Sequence, residues 1–386
     1  MSQEKINDIA MKAIKSDCEQ SVYYGEDSIK TLKTLLDPES CMGIILVTGP
    51  TLHRKEIDRP ILDILDESGI PYEVFSETEA DPSIETAERI ARLCQEKNAG
   101  LIIAFGGGSP MDAAKAASVL AVYGQDLRDY EGGGKVPGAV LPIIAIPTTA
   151  GTGSEATSFA VITDPERKTK MTITSSYIIP EAVILDPEFL AMVPEKTAAY
   201  CGMDALIHAL ESYLSKAADP ISLAFSKEAL SLIGKSIEAY VKDRTDKKAA
   251  LNMLVGSYLA GRAFNRARLG NVHALSHPLS AYFHLPHGMA NAILLPAVLE
   301  FNEESRYQEL EQLIFSVPVF TYLPGALVNR IRRLNRDLNI PSSLEEAGVN
   351  PAYYKLMARD AMKSGNVLVN PRETALEDLI EIYRHA

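Results

Sequence analysis

Four of the seven histidines of this chain, His273, His277, His284 and His287, fall within residues 271–288, "NVHALSHPLSAYFHLPHG". A fifth, His208, lies four residues after Asp204 in "GMDALIHALESYL". On a helix, residues four apart share a face, so Asp204 and His208 point the same way. His273 and His277 repeat that spacing. The "LPHG" turn, broken by Pro286 and Gly288, places His287 on a following loop. One carboxylate with three imidazoles suits a divalent ion of borderline softness, iron(II) or zinc; magnesium and calcium prefer oxygen. Spacing alone leaves open which of the four clustered histidines are ligands. An open position on such an ion would also activate water, so a metallohydrolase is a rival reading.

A second group of residues is built for phosphate. In "AFGGGSPMDAAKAA" (104–117) an apolar run ends in three glycines and a helix follows. Without Cβ atoms, Gly107 and Gly108 let a ligand approach the backbone. Ser109 caps the helix, Pro110 takes its first position, and Asp112 completes a capping box. The free N–H groups and the dipole at that end favour an anion. The spacing is not G-x-G-x-x-G, so the usual dinucleotide fingerprint is absent. "IPTTAGTGSE" (146–155) supplies another small-residue turn, with Thr148, Thr149 and Thr152. Two such turns at neighbouring strand ends can hold a pyrophosphate from both sides.

The elements that must position these groups are also legible. "GIILVTG" (43–49), "YEVFS" (72–76), "GLIIAF" (100–105) and "LPIIAIPTT" (141–149) read as strands, nearly all apolar. Between them, residues 52–68, "DPSIETAERIARLCQEKNA" and "SPMDAAKAASVLAVYG" have helical periodicity. Alternating strands and helices with apolar strands predict a parallel sheet covered on both faces. After Pro194 the chain reads as helices throughout. We therefore expect an α/β N-terminal dinucleotide-binding domain over 1–190 and an all-α metal-binding domain over 191–386.

The bulk numbers fit an enzyme. A hydrophobic share of 46% is enough for a large core. The net charge of −13, with no basic run, excludes the clustered cations that nucleic acid needs. The start "MSQEKINDIA" lacks the apolar core of a signal peptide, and no apolar run is long enough to span a membrane, so a cytoplasmic location is expected. Cys18, Cys41, Cys94 and Cys201 are scattered with no CxxC, against a disulfide framework or cysteine metal site.

On "GGGSPMDAAK", "PTTAGTGSE", "GMDALIHALESYLS", "HALSHPLSAYFHLPHGMANAILLP" and "NPRETALEDLIEIYRHA", the chain resembles the iron-dependent (group III) alcohol dehydrogenases over nearly its whole length. The resemblance implies a dehydroquinate synthase-like fold, with the site in a cleft between the two domains. It implies that Asp204, His208, His273 and His287 hold Fe2+, with Zn2+ as the other candidate. His277 then stands near nicotinamide and substrate as a proton carrier, and His284 lies outside the ligand set. Gly49, Gly107, Gly108, Ser109, Asp112, Thr148, Thr149, Thr152 and Lys170 then line the cofactor. The implied reaction is hydride transfer between a primary alcohol or small diol and NAD(P), or aldehyde reduction in reverse, by a homo-oligomer. A zinc polyol dehydrogenase of the glycerol type and a dehydroquinate synthase relative are rivals of the same fold. Two positions depart from the pattern. Gly49 stands where many NAD-preferring relatives carry Asp; with His53, Arg54 and Lys55 just beyond, NADP is the expected preference. Phe159 stands where some relatives carry a polar Asn near the cofactor.

Overall fold

The computed structural model describes residues 20–37, 41–303, 306–317 and 323–386. Cys18 and the "MSQEKINDIA" start lie outside them; Cys41, Cys94 and Cys201 are free thiols. The chain divides into two compact units. The first comprises the described residues up to Thr148 together with Ser154–Asp186; the second comprises Thr149–Gly153 and Pro187–Ala386.

The first unit is organised by a six-stranded sheet in the order β1 (Ser21–Tyr24), β9 (Ala182–Leu185), β6 (Ile143–Pro147), β4 (Leu101–Gly106), β2 (Ile44–Val47), β3 (Tyr72–Phe75). Every pairing in it is parallel. All residues of β2, β4, β6 and β9 are buried, as a sheet covered on both faces requires. The helices α1 (Arg59–Ser68), α2 (Ile84–Glu96) and α3 (Gly108–Tyr123) connect strands of this sheet. A smaller sheet joins β5 (Gly132–Gly133), β8 (Thr169–Thr174) and β7 (Phe159–Asp164), with β7 and β8 antiparallel.

Two local expectations are corrected. The helix expected over 52–68 is broken: a short helix at Pro50–Arg54 precedes α1, and between them Glu56 takes φ +55°. The break lets His53 Nδ1 pair with Asp58 Oδ2 at 2.7 Å. The reading of the first half also missed β1, β5, β7, β8 and β9.

The second unit is helical. Its long helices are α4 (Glu195–Leu214), α5 (Pro220–Lys242), α6 (Lys247–Ala267), α7 (Asn271–Phe283) and α8 (His287–Asn302). The core runs along α4, whose sequence is rich in Ala and Leu and nearly free of β-branched residues. Leu206, Ile207, Leu210 and Leu214 are essentially inaccessible, each burial stabilising by roughly 2 kcal/mol. The polar side chains Asp204, His208 and Glu211 share this buried helix. A helix buried on all sides cannot send them to solvent, so they must find partners inside.

Candidate metal centre and phosphate-binding turn

In the helical unit, Asp204 Oδ1 is the focus of three imidazoles. His273 Nε2 lies 3.5 Å from it, and the Nε2 atoms of His208 and His287 each lie 3.8 Å away. Ligand atoms of Asp204, His208 and His273 all fall within 4.8 Å of one another. A tetrahedral ion with bonds near 2.1 Å separates its donors by about 3.4 Å. The observed spacing therefore fits such an ion, and the set of one carboxylate and three imidazole nitrogens fits iron(II) or zinc.

Each side chain is delivered by its element. Asp204 and His208 lie one turn apart on α4, as their spacing predicted. His208 Nδ1 is 3.2 Å from Gly151 O, which aims Nε2 towards Asp204, and its ring stacks on Phe264 with centroids 4.5 Å apart. His273 sits in the first turn of α7. His287 does not lie on a loop: Pro286 is the N-cap and His287 is the first residue of α8. Gly288 therefore does not break the helix. It is small because a Cβ there would stand 2.1 Å from Tyr200 O on α4. The glycine lets α8 approach α4 closely enough for His287 to reach Asp204. His277 is exposed on α7, its ring 5.5 Å from that of His287. His284 ends α7 in the left-handed conformation and is exposed.

Glu211 was not legible in advance. Seven residues after Asp204 and buried, it accepts from Val272 N–H at 2.7 Å and faces His273 Nδ1 at 2.6 Å. It thus supports the start of α7, whose N-cap Gly270 brings no side chain, and orients His273. The spacing of Glu211 three residues after His208 was the available signal. The electrostatics are those of one buried cluster. Burial raises the Asp204 carboxyl, but the imidazoles around it outweigh that and hold it well below the carboxylate range. Burial pushes His208 down to about 4 and His287 to about 3, against the pull of Asp204. Burial also opposes charge on His273, yet its bonds to Asp204 and Glu211 prevail and raise it to about 9.

In the α/β unit the chain leaves β2 for β3 on one side and returns to β4 on the other, so a topological switch point lies between β2 and β4. Ligands of such sheets bind outside the strand C-termini at that point. Gly49 follows β2 there, and Gly107 and Gly108 follow β4. Gly106 adopts φ +153°, and a Cβ on it would meet Pro110 Cγ at 2.6 Å. Thr148 N–H donates to Gly106 O at 2.9 Å, fixing the ends of β4 and β6 together.

The expected capping box does not form. Gly107 is the N-cap of α3, and Ser109 lies inside the helix. Ser109 Oγ instead accepts from Asp81 N–H at 3.3 Å, and Asp81 also pairs with Lys170 at 2.7 Å. Asp112 turns inward: it accepts from Ser154 Oγ–H at 2.7 Å and Val161 N–H at 3.2 Å. The cause is Lys115, fully buried one turn on, whose ammonium donates to the carbonyls of Ser154, Thr157 and Phe159 at 2.5, 2.8 and 2.9 Å. Burial lowers Lys115 to about 8, with Asp112 opposing, so a carboxylate beside it is more valuable than a cap. Asp112 is thus bound up in holding the turn. Thr149 and Thr152 belong to the segment Thr149–Gly153 of the helical unit.

Residues 19–187 match the model of the iron-containing alcohol dehydrogenases, and residues 198–386 match that of the C-terminal part of the Fe-containing alcohol dehydrogenase family. Alcohol dehydrogenase 4 of Saccharomyces cerevisiae strain YJM789 is 34% identical over 94% of this chain and 96% of its own. The NAD-dependent methanol dehydrogenase of Bacillus methanolicus is 33% identical over 94% of this chain and 97% of its own. A crystal structure of a 1,3-propanediol oxidoreductase superposes with a TM-score of 0.91, at 32% identity over 94% of this chain and 97% of that one. A parallel-sheet unit and a helical unit make up the dehydroquinate synthase-like architecture that the resemblance implied. Matched along both units, this chain belongs to the iron-containing alcohol dehydrogenase family.

Proposed function

We propose that this enzyme interconverts a primary alcohol or small diol and its aldehyde, exchanging hydride with NAD(P), at an ion held by Asp204, His208, His273 and His287. The convergence of three Nε2 atoms on one buried carboxylate oxygen is the observation that carries this reading. When bound, iron(II) or zinc supplies Lewis-acid polarisation of the substrate oxygen. The chain's own residues prepare the site. Gly151 and Glu211 hold the tautomers of His208 and His273 so that Nε2 of each faces inward. His277, exposed beside His287, carries the alcohol proton outward, as imidazole is suited to do. The hydrolase reading has no use for a phosphate-binding turn at a sheet switch point and is not favoured.

For the cofactor, Gly107, Gly108 and Ser109 at the start of α3 would hold the pyrophosphate, with Gly49, Thr148 and Lys170 of the same unit as further contacts; Thr149 and Thr152 are the residues that the family resemblance adds. NADP(H) is our proposed preference. Gly49 places no carboxylate after β2, and the side chains of Arg54 and Lys55 are exposed with no partner among the described residues. His53 contributes less, being tied to Asp58. The methanol dehydrogenase relative is NAD-dependent by name, and kinetics with both cofactors test the preference. No described helix is long and apolar enough to cross a membrane; a cytoplasmic homo-oligomer is the form we propose. The test is metal analysis of anaerobically prepared enzyme with a panel of alcohols, diols and aldehydes against both cofactors. Alcohol-dependent reduction of NAD(P) that chelators abolish is expected; hydrolysis without cofactor turnover would overturn the reading.

A further inference from the structure

We infer that Asn291 is a positioning residue for the ion-binding carboxylate, an inference that rests on the ion site proposed above. Asn291 lies on α8 one turn after His287 and is wholly buried. Its Nδ2 donates to Asp204 Oδ1 at 2.7 Å and stands 3.2 Å from both His273 Nε2 and His287 Nε2. Three of the four proposed donor atoms thus converge on one amide nitrogen.

That nitrogen carries two hydrogens and cannot serve three acceptors at once. An imidazole nitrogen also has a single lone pair, which goes either to a hydrogen or to an ion. A carboxylate oxygen has room for both. The bond compatible with ion binding is therefore the one to Asp204, which is also the shortest. It fixes the rotation of a carboxylate that no backbone N–H orients among the described hydrogen bonds. Asn291 Oδ1 is buried with no partner among the described residues. An unpaired buried acceptor disfavours folding, and a leucine of the same outline would fill the space without it. The amide is thus retained for what its N–H groups do at Asp204, not for packing.

The experiment is a cobalt(II) and zinc(II) titration of Asn291→Leu and Asn291→Ala against a chelating dye, alongside wild type and His273→Ala. Losing an orienting partner of a ligand weakens metal binding by about 10–100-fold. Both Asn291 variants should show that loss and an altered cobalt d–d spectrum, while circular dichroism and thermal midpoint without added metal stay close to wild type. Affinity within twofold of wild type in either folded variant overturns the inference. So does collapse of both variants in the absence of metal, which makes Asn291 a packing residue. If instead wild type and His273→Ala bind cobalt equally, the ion site itself is wrong, a result distinct from the failure of Asn291.

Discussion

His273 Nδ1 and Glu211 Oε2 lie 2.6 Å apart in the interior of the helical unit. The carboxylate keeps the imidazole's other nitrogen, Nε2, turned towards Asp204, an arrangement that also raises the basicity of a ligand. Glu211→Gln keeps the shape but removes the charge. It should weaken zinc binding by about 10–100-fold while leaving the fold intact. Glu211→Ala should in addition lower the thermal midpoint, because Val272 N–H at the start of α7 loses its acceptor. Chelator competition and thermal melts check both. Unchanged affinity in Glu211→Gln would show that the pair is only structural.

The proposed cofactor preference turns on Gly49. A carboxylate there would face the ribose side of the switch point and repel a 2′-phosphate. Gly49→Asp should therefore shift the ratio of kcat/KM by about tenfold or more from NADP(H) towards NAD(H), a change of about 1.4 kcal/mol. The backbone leaves room, since a Cβ at Gly49 meets nothing closer than Thr78 O at 3.7 Å. Steady-state kinetics with both cofactors decide. A wild-type enzyme that favours NAD(H) tenfold contradicts the proposed preference.

Acid should loosen the smaller sheet. Asp164, at the end of β7, accepts from Arg128 Nε at 2.8 Å and Arg167 Nε at 2.6 Å, and from the N–H groups of Glu166 and Arg167. Arg128 first, then these neighbours, hold its carboxyl well below the usual range. A depressed carboxyl stabilises the fold above the ordinary value of about 3.9 and loses that contribution as pH falls below it. The gap in thermal midpoint between wild type and Asp164→Asn should thus be wide at pH 7 and narrow on acidification below about pH 4. A gap that is constant down to pH 3 would remove Asp164 from the account of acid stability.

His277 and His273 are separated by one turn but should behave differently. His277→Ala is expected to keep the ion and change the pH dependence of kcat. The exposed ring lies beside that of His287, with centroids 5.5 Å apart. Metal analysis and a pH–rate profile check this; an unchanged profile would take His277 out of the proton path.

The chemistry-bearing residues were legible where a simple period governed them. Asp204 and His208 share a face because helices repeat every 3.6 residues, and β2, β4 and β6 announced themselves as apolar runs. What escaped depends on tertiary context. Glu211 and Asn291 look like ordinary polar positions on helices, and only burial on every side turns them inward. His287 read as a loop residue because Pro286 and Gly288 flank it, yet proline serves as the cap and glycine answers the approach of α4. Ser109 and Asp112 had the spacing of a capping box, but the buried ammonium of Lys115 drew the carboxylate away. In β8, "KMTIT" alternates as a half-buried strand does, and its burial follows that period; the four-residue β1 and β9 had little room to show one.

The central claim is that one divalent ion, held by Asp204, His208, His273 and His287, is needed for alcohol oxidation. Metal content and NAD(P) reduction measured together on anaerobically prepared wild type and His273→Ala test it most directly. About one iron or zinc per chain is expected in the wild type, with ion and activity lost together in His273→Ala. Full metal content and full turnover in His273→Ala would contradict the account.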